Sequence, residues 1–236
     1  MNIALITAAG RGERIGQDIP KQFLHIENKP IIIYTLEAFE KHPSIDTILV
    51  VCLDGWHEIL QAYAKQFGIT KLKWIVSGGE TGQESIKKGL IELSSHCSVT
   101  DSILVHDGNR ALISTEIISD GLAIYKKFGN SVAVVPCTEA IFKSVDGVMS
   151  EESIPRDELF RTQTPHIYTL EKLLWAHEEA EKKNIKNTAA SCALMQMLGE
   201  KTYFSAGSEK NIKITTVDDI EIFKALLSVK KDEYLK

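Results

Sequence analysis

The N-terminal stretch Met1–Phe23, MNIALITAAGRGERIGQDIPKQF, decides how the rest of the chain is read. An apolar run from Ile3 to Ile6 breaks into Thr7, Ala8, Ala9, Gly10, Arg11 and Gly12, and cations follow at Arg11, Arg14 and Lys21. Small residues let a backbone approach a polyanion and aim successive N–H groups at it, and the start of a helix adds a favourable field. The stretch therefore reads as a buried strand feeding a phosphate-binding loop. Glycine spacing alone is weak support. The local density of positive charge sharpens it, because the 236-residue chain is acidic overall, with a net charge of −5.

Outward from that loop, strand and helix signals alternate. Thr47–Cys52 is a continuous apolar run of the buried-strand kind, and Lys73–Val76, Ser102–His106 and Val132–Pro136 are shorter strand signals. Helical spacing falls between them at 31–40, 57–67, 84–93 and 116–128. Alternation of this sort predicts an α/β fold, a Rossmann-like, mostly parallel sheet flanked by helices. From about 138 to 160 the pattern changes. Ala140, Phe142 and Ser144 alternate toward an Asp146-Gly147 turn, which predicts a β-hairpin arm protruding from a single domain spanning 1–236. Helices are expected again at 170–183 and 189–198, a strand at 201–204, and a short strand in NIKITT (211–216) before a last helix.

The composition, 44% hydrophobic and 25% charged, is ordinary for a globular protein. The acidic balance argues against nucleic-acid or anionic-membrane partners. Cys52, Cys97, Cys137 and Cys192 form no CxxC pair, and no signal-like or long apolar segment is present. A cytoplasmic protein with reduced thiols and no structural zinc is the expectation.

Ligands of open α/β sheets sit beyond the carboxyl ends of the strands. That rule gathers four loops: 8–21, 77–85 with Gly78, Gly79, Glu80 and Ser85, 107–110 with Asp107 and Arg110, and 211–213 with Lys213. Their glycines, hydroxyls, Asp107 and cations suit a triphosphate with a divalent metal. His106, between an apolar strand and Asp107, reads as a buried structural residue.

These motifs in this order resemble the CTP-dependent cytidylyltransferases that act on ribitol phosphate and on methylerythritol phosphate. The likeness runs through TAAGRGERIGQDIPKQF, PIIIYTLEAF, Gly78-Gly79…Ser85, His106-Asp107…Arg110, Gln163-Thr164-Pro165 and NIKITT. It implies transfer of CMP from CTP to a polyol phosphate with Mg²⁺ and release of pyrophosphate. Catalytic roles fall to Lys21, Lys213 and Arg14; nucleotide contacts to Ala8, Ala9, Gly10, Arg11, Gly12, Gly79, Glu80, Ser85 and Asp107; acceptor contacts to Arg110 and Arg156. Asp107 is the metal candidate. The resemblance further implies a homodimer in which the arm crosses to the partner and Arg156 completes the partner's site. Ribitol 5-phosphate, a surface-polysaccharide precursor, is the leading acceptor, with methylerythritol phosphate, the isoprenoid precursor, as the alternative. Departures from the family pattern stand at Gly82, Ala111, Glu139-Ala140 and Thr188-Ala189-Ala190. They keep open a nucleotide-binding sensor without turnover. A short-chain dehydrogenase, suggested by Gly10, Gly12 and Gly16 with Tyr168 and Lys172, is the other rival.

Overall fold

The computed structural model describes residues 1–10 and 19–231. Arg11, Gly12, Arg14 and Gly16 lie outside the described residues. Strand β1 (Asn2–Ala8) sits centrally, paired in parallel with β4 (Thr47–Cys52) on one side and β6 (Ser102–Asp107) on the other. Beyond β4 lies the parallel edge strand β5 (Leu72–Ser77). Beyond β6 come β10 (Phe160–Thr169), β7 (Ser131–Pro136) and β11 (Phe204–Ala206). β10 runs antiparallel to both neighbours, while β7 and β11 pair in parallel. The expected mostly parallel sheet is present.

The apolar continuity of β1 and β4 follows from burial on both faces. Ala4, Ile6, Ile48 and Val50 face one layer, which holds α1 (Ile31–Lys41), α2 (His57–Gln66) and α4 (Thr115–Phe128). Ile3, Leu5, Leu49 and Val51 face the other, which holds α3 (Gly82–Ser94), α5 (Leu170–Lys182) and α6 (Ser191–Met197). Each aliphatic side chain so buried contributes about 1.5–3 kcal/mol to the folded state. A third cluster, with Ile31, Ala111, Ile214 and Phe223, docks α7 (Val217–Lys231) against α1. Among the described helices four start on hydroxyl caps, Thr81, Ser114, Thr169 and Thr216, each accepting a bond from the first-turn backbone.

Three expectations need correction. TQTPHIY belongs to β10, the longest strand of the sheet, although no strand was expected there. Pro165 hides it, since proline removes a ladder donor, and the pairing with β7 slips between Thr162 and His166. NIKITT forms no strand: it is an extended segment outside the sheet, tied down by side chains described below. The strand expected at 201–204 instead spans Phe204–Ala206.

The arm is present as expected. Its strands β8 (Ile141–Lys143) and β9 (Glu152–Ile154) pair only with each other, and Gly147 takes φ +73 in the turn. A small two-stranded ribbon, β2 (His25–Ile26) and β3 (Lys29–Pro30), leads into α1. None of the described helices is long and apolar enough to cross a membrane. All four cysteines are free, and burial pushes the Cys52 thiol up to about 12.

Candidate functional site

Beyond the carboxyl ends of β1, β5 and β6 the loops enclose a cleft of about 390 Å³. Of the residues expected there, Ala8, Ala9, Gly10, Lys21, Gly79, Glu80, Ser85, Asp107, Arg110 and Lys213 all line it. Arg156 does not: it sits in the arm, where its guanidinium donates to the Thr138 carbonyl at 3.1 Å.

The N-terminal loop is held at its root by Gln22, which is buried and donates from Nε2 to the carbonyls of Ala8 (2.7 Å) and Gly10 (3.1 Å). The same turn, Lys21–Phe23, packs Phe23 flat against Trp56, with centroids 4.6 Å apart. Lys21 therefore springs from an immobilised backbone. Opposite it, the Gly79 N–H donates to Ser85 Oγ at 3.0 Å, fixing the loop that precedes α3. At Gly78 a side chain is impossible, because a Cβ would stand 2.2 Å from that of Ala9. The glycine lets the two loops meet.

Asp107 ends β6 between two cations. Its Oδ1 accepts from Lys213 Nζ at 3.0 Å and its Oδ2 from Arg110 Nε at 3.0 Å. Burial alone would raise this carboxyl, but Lys213 and Arg110 outweigh it and hold it at about 2. Asp107 is therefore an anion at neutral pH, set between Lys213 and Arg110. Behind the carboxylate, burial lowers the His106 imidazole to about 3 and the His166 imidazole to about 4, so both are neutral. His106 Nδ1 pairs with Thr164 Oγ1 at 2.9 Å, in keeping with its structural reading.

Magnesium fits this donor set in one way. Among the described residues no three His, Cys, Asp or Glu side chains come together, so these residues build no metal cage by themselves. Mg²⁺ usually takes one or two carboxylates with substrate phosphates and water. Asp107 is placed to be that carboxylate, provided that Lys213 or Arg110 shares an oxygen.

Ala111, a departure from the family pattern, is buried under α7 and lines no part of the cleft; a small apolar residue packs there. Tyr168 and Lys172, the basis of the dehydrogenase rival, form no pair. The tyrosine is buried in β10, whereas the lysine bonds Glu200 at 2.7 Å and covers Trp175. By contrast, Gly82, Ala189 and Ala190 do line the cleft. Residues unassigned from sequence also line it, among them Asn109, Gln163, His166 and Thr188. The hydrogen-bonding residues at 163–164, inside a recognisable motif, carried a signal for this; His166 carried none.

Comparison with known proteins gives the same picture at the level of the whole chain. The family profile described as IspD, 2-C-methyl-D-erythritol 4-phosphate cytidylyltransferase, matches residues 2–229. A ribitol-5-phosphate cytidylyltransferase of Lacticaseibacillus paracasei is 42% identical over 98% of this chain and 100% of its own length. A 2-C-methyl-D-erythritol 4-phosphate cytidylyltransferase of Clostridium acetobutylicum is 38% identical, covering 96% of this chain and 97% of that protein. A crystal structure of 4-diphosphocytidyl-2C-methyl-D-erythritol synthase superposes with a TM-score of 0.79 at 26% identity, covering 96% of this chain and 97% of that one.

Proposed function

This chain belongs to the IspD family of cytidylyltransferases, and from that premise we propose that it transfers CMP from CTP to ribitol 5-phosphate, releasing pyrophosphate. The observation that carries the reading is the Lys213–Asp107–Arg110 cluster, which faces the glycine-lined loops and Lys21 across one cleft.

A phosphate oxygen is already an anionic nucleophile near pH 7, so the reaction needs no Ser–His or Cys–His activation. The barrier lies in bringing two polyanions together and in stabilising charge on the α-phosphate and the leaving pyrophosphate. Lys21 and Lys213 both line the cleft and serve as the α-phosphate clamp. The backbone of Ala8–Gly10 receives the triphosphate, and the Gly79–Ser85 loop receives cytosine. Arg110 presents its guanidinium to the acceptor's phosphate. Asp107 would hold Mg²⁺, whose charge would neutralise part of the triphosphate. Arg11, Gly12 and Arg14 take their phosphate roles from the family pattern.

Ribitol 5-phosphate is preferred as acceptor because the relative at 42% identity carries that name. Methylerythritol phosphate remains the second reading on the strength of the Clostridium protein. Pyrophosphate release with CTP, Mg²⁺ and a panel of polyol phosphates tests both. Ribitol 5-phosphate is expected to give the highest kcat/KM. A higher value with methylerythritol phosphate reverses the assignment, and CTP binding without any turnover makes the protein a sensor.

The arm is proposed to lie across a second copy of this chain, bringing Arg156 to that copy's acceptor site. Phe142, Val145, Val148 and Met149 are exposed on the hairpin, an apolar surface unusual for a solvated loop. Sedimentation is expected to give twice the 26.3 kDa chain mass. A monomer at assay concentration removes Arg156 from the site.

A further inference from the structure

The segment that carries Lys213 belongs to neither a strand nor a helix, yet its lysine meets Asp107 at 3.0 Å. What holds it is a set of side-chain amides. Asn211, fully buried, donates from Nδ2 to Gln163 Oε1 (3.2 Å) and to the Thr164 carbonyl (3.0 Å). Gln163 in turn clasps Ser208: its Nε2 donates to the Ser208 carbonyl at 2.8 Å and its Oε1 accepts the Ser208 N–H at 3.1 Å. Past the lysine, the Ile214 N–H donates to the Asn109 carbonyl at 3.0 Å, and Asn109 Nδ2 returns a bond to the Ile214 carbonyl. Lys213 is thus pinned two residues before and one residue after.

The clasp reaches the other cation as well. Arg110 Nη1 donates to the Asn211 carbonyl at 2.7 Å while its Nε holds Asp107. Thr164, whose carbonyl Asn211 grips, accepts the Asp107 N–H on its own Oγ1 at 3.1 Å. Gly207 lets the segment come close enough: a Cβ there would stand 2.7 Å from Gln163 Oε1 and 2.8 Å from the Val134 carbonyl oxygen.

We propose that Gln163 and Asn211 are positioning residues that set Lys213 and Arg110 for CMP transfer. Neither amide carries charge to the reacting phosphates. Their action is to replace the ladder bonds that a sheet would have supplied, so that a lysine on irregular backbone has one location. A displacement of about 1 Å at a reacting group can cost on the order of a hundredfold in rate. The inference rests on the proposed cytidylyl transfer, and the test separates the two.

The near-isosteric variants Gln163→Met and Asn211→Leu are compared with Lys213→Ala, and each is also made in the Lys213→Ala background. On its own, each clasp variant is expected to lower kcat by about thirty-fold, with KM for CTP within about threefold, since the nucleotide is received mainly by the 8–10 and 79–85 loops. In the Lys213→Ala background the same substitutions are expected to lower kcat by less than about fivefold, because the main group they place is gone. A structural role would instead give the same loss in both backgrounds, and that result overturns the proposal. Full turnover by Lys213→Ala overturns the functional reading itself. Gly207→Ala provides an independent perturbation should either amide variant fail to fold. It is expected to reproduce the kcat loss, and unchanged kcat with that variant counts against the clasp.

Discussion

Asp107→Asn is expected to lower turnover by on the order of a hundredfold or more, the scale seen when a preorganised electrostatic contact is removed from a transition state. The amide keeps the shape of the carboxylate but not its charge. Lys213 and Arg110, each 3.0 Å from a carboxylate oxygen, lose their common counter-ion, and the proposed ligand for Mg²⁺ goes with it. Folding should survive. Lys213 is 44% exposed and water can solvate it, so the loss of stability is expected to be about 2 kcal/mol, below the 3–5 kcal/mol typical of breaking a fully buried pair. The pH dependence supplies a second check. The native carboxyl is held at about 2, below its unfolded value, so its contribution is present above about pH 4 and fades as pH falls toward 2. The Tm–pH curve of Asp107→Asn should therefore run parallel to wild type below about pH 2, separate from it between about pH 2 and 4, and keep a constant offset above that window. If turnover and the Tm–pH curve both match wild type, Asp107 is only the end of a strand.

How far such roles could be read from residues alone depends on where their causes lie. The parallel core was legible because β1 and β4 are buried on both faces, and only an unbroken apolar run satisfies that condition. That Asp107, Lys21 and Lys213 line one cleft was legible from motif order combined with the carboxyl-end rule. β10 was not, because its central proline and bulge mimic a loop, while partners distant in sequence, β6 and β7, supply its pairing. NIKITT failed in the opposite direction. Its alternating pattern looks like a strand, but Asn211 and Asn109 provide the bonds that a neighbouring strand would have provided. Ala111 carries the same lesson: its small size answers to Ile214 and Phe223 from the far end of the chain, and not to a ligand. Local chemistry reveals which groups can react; long-range packing decides which of them meet.

Lys21→Ala is the substitution that most directly tests whether the N-terminal loop acts in the transition state or only in binding. The backbone around it has independent anchors: Gln22 grips Ala8 and Gly10, and Phe23 stacks on Trp56. Truncating the lysine should leave those contacts, the fold and the cleft walls in place. On the proposed binding mode the ground-state triphosphate still has the backbone of Ala8–Gly10 and Lys213, so the Kd for CTP is expected to rise by no more than about threefold. As charge builds on the α-phosphate and the bond to pyrophosphate loosens, a single lysine facing it from the N-terminal wall becomes worth about 3 kcal/mol, on the order of a hundredfold in kcat. Titration calorimetry with CTP and single-turnover pyrophosphate release measure the two quantities separately. A loss shared equally between Kd and kcat/KM, with kcat itself unchanged, would assign Lys21 to uniform binding and leave Lys213 as the residue that answers the developing charge.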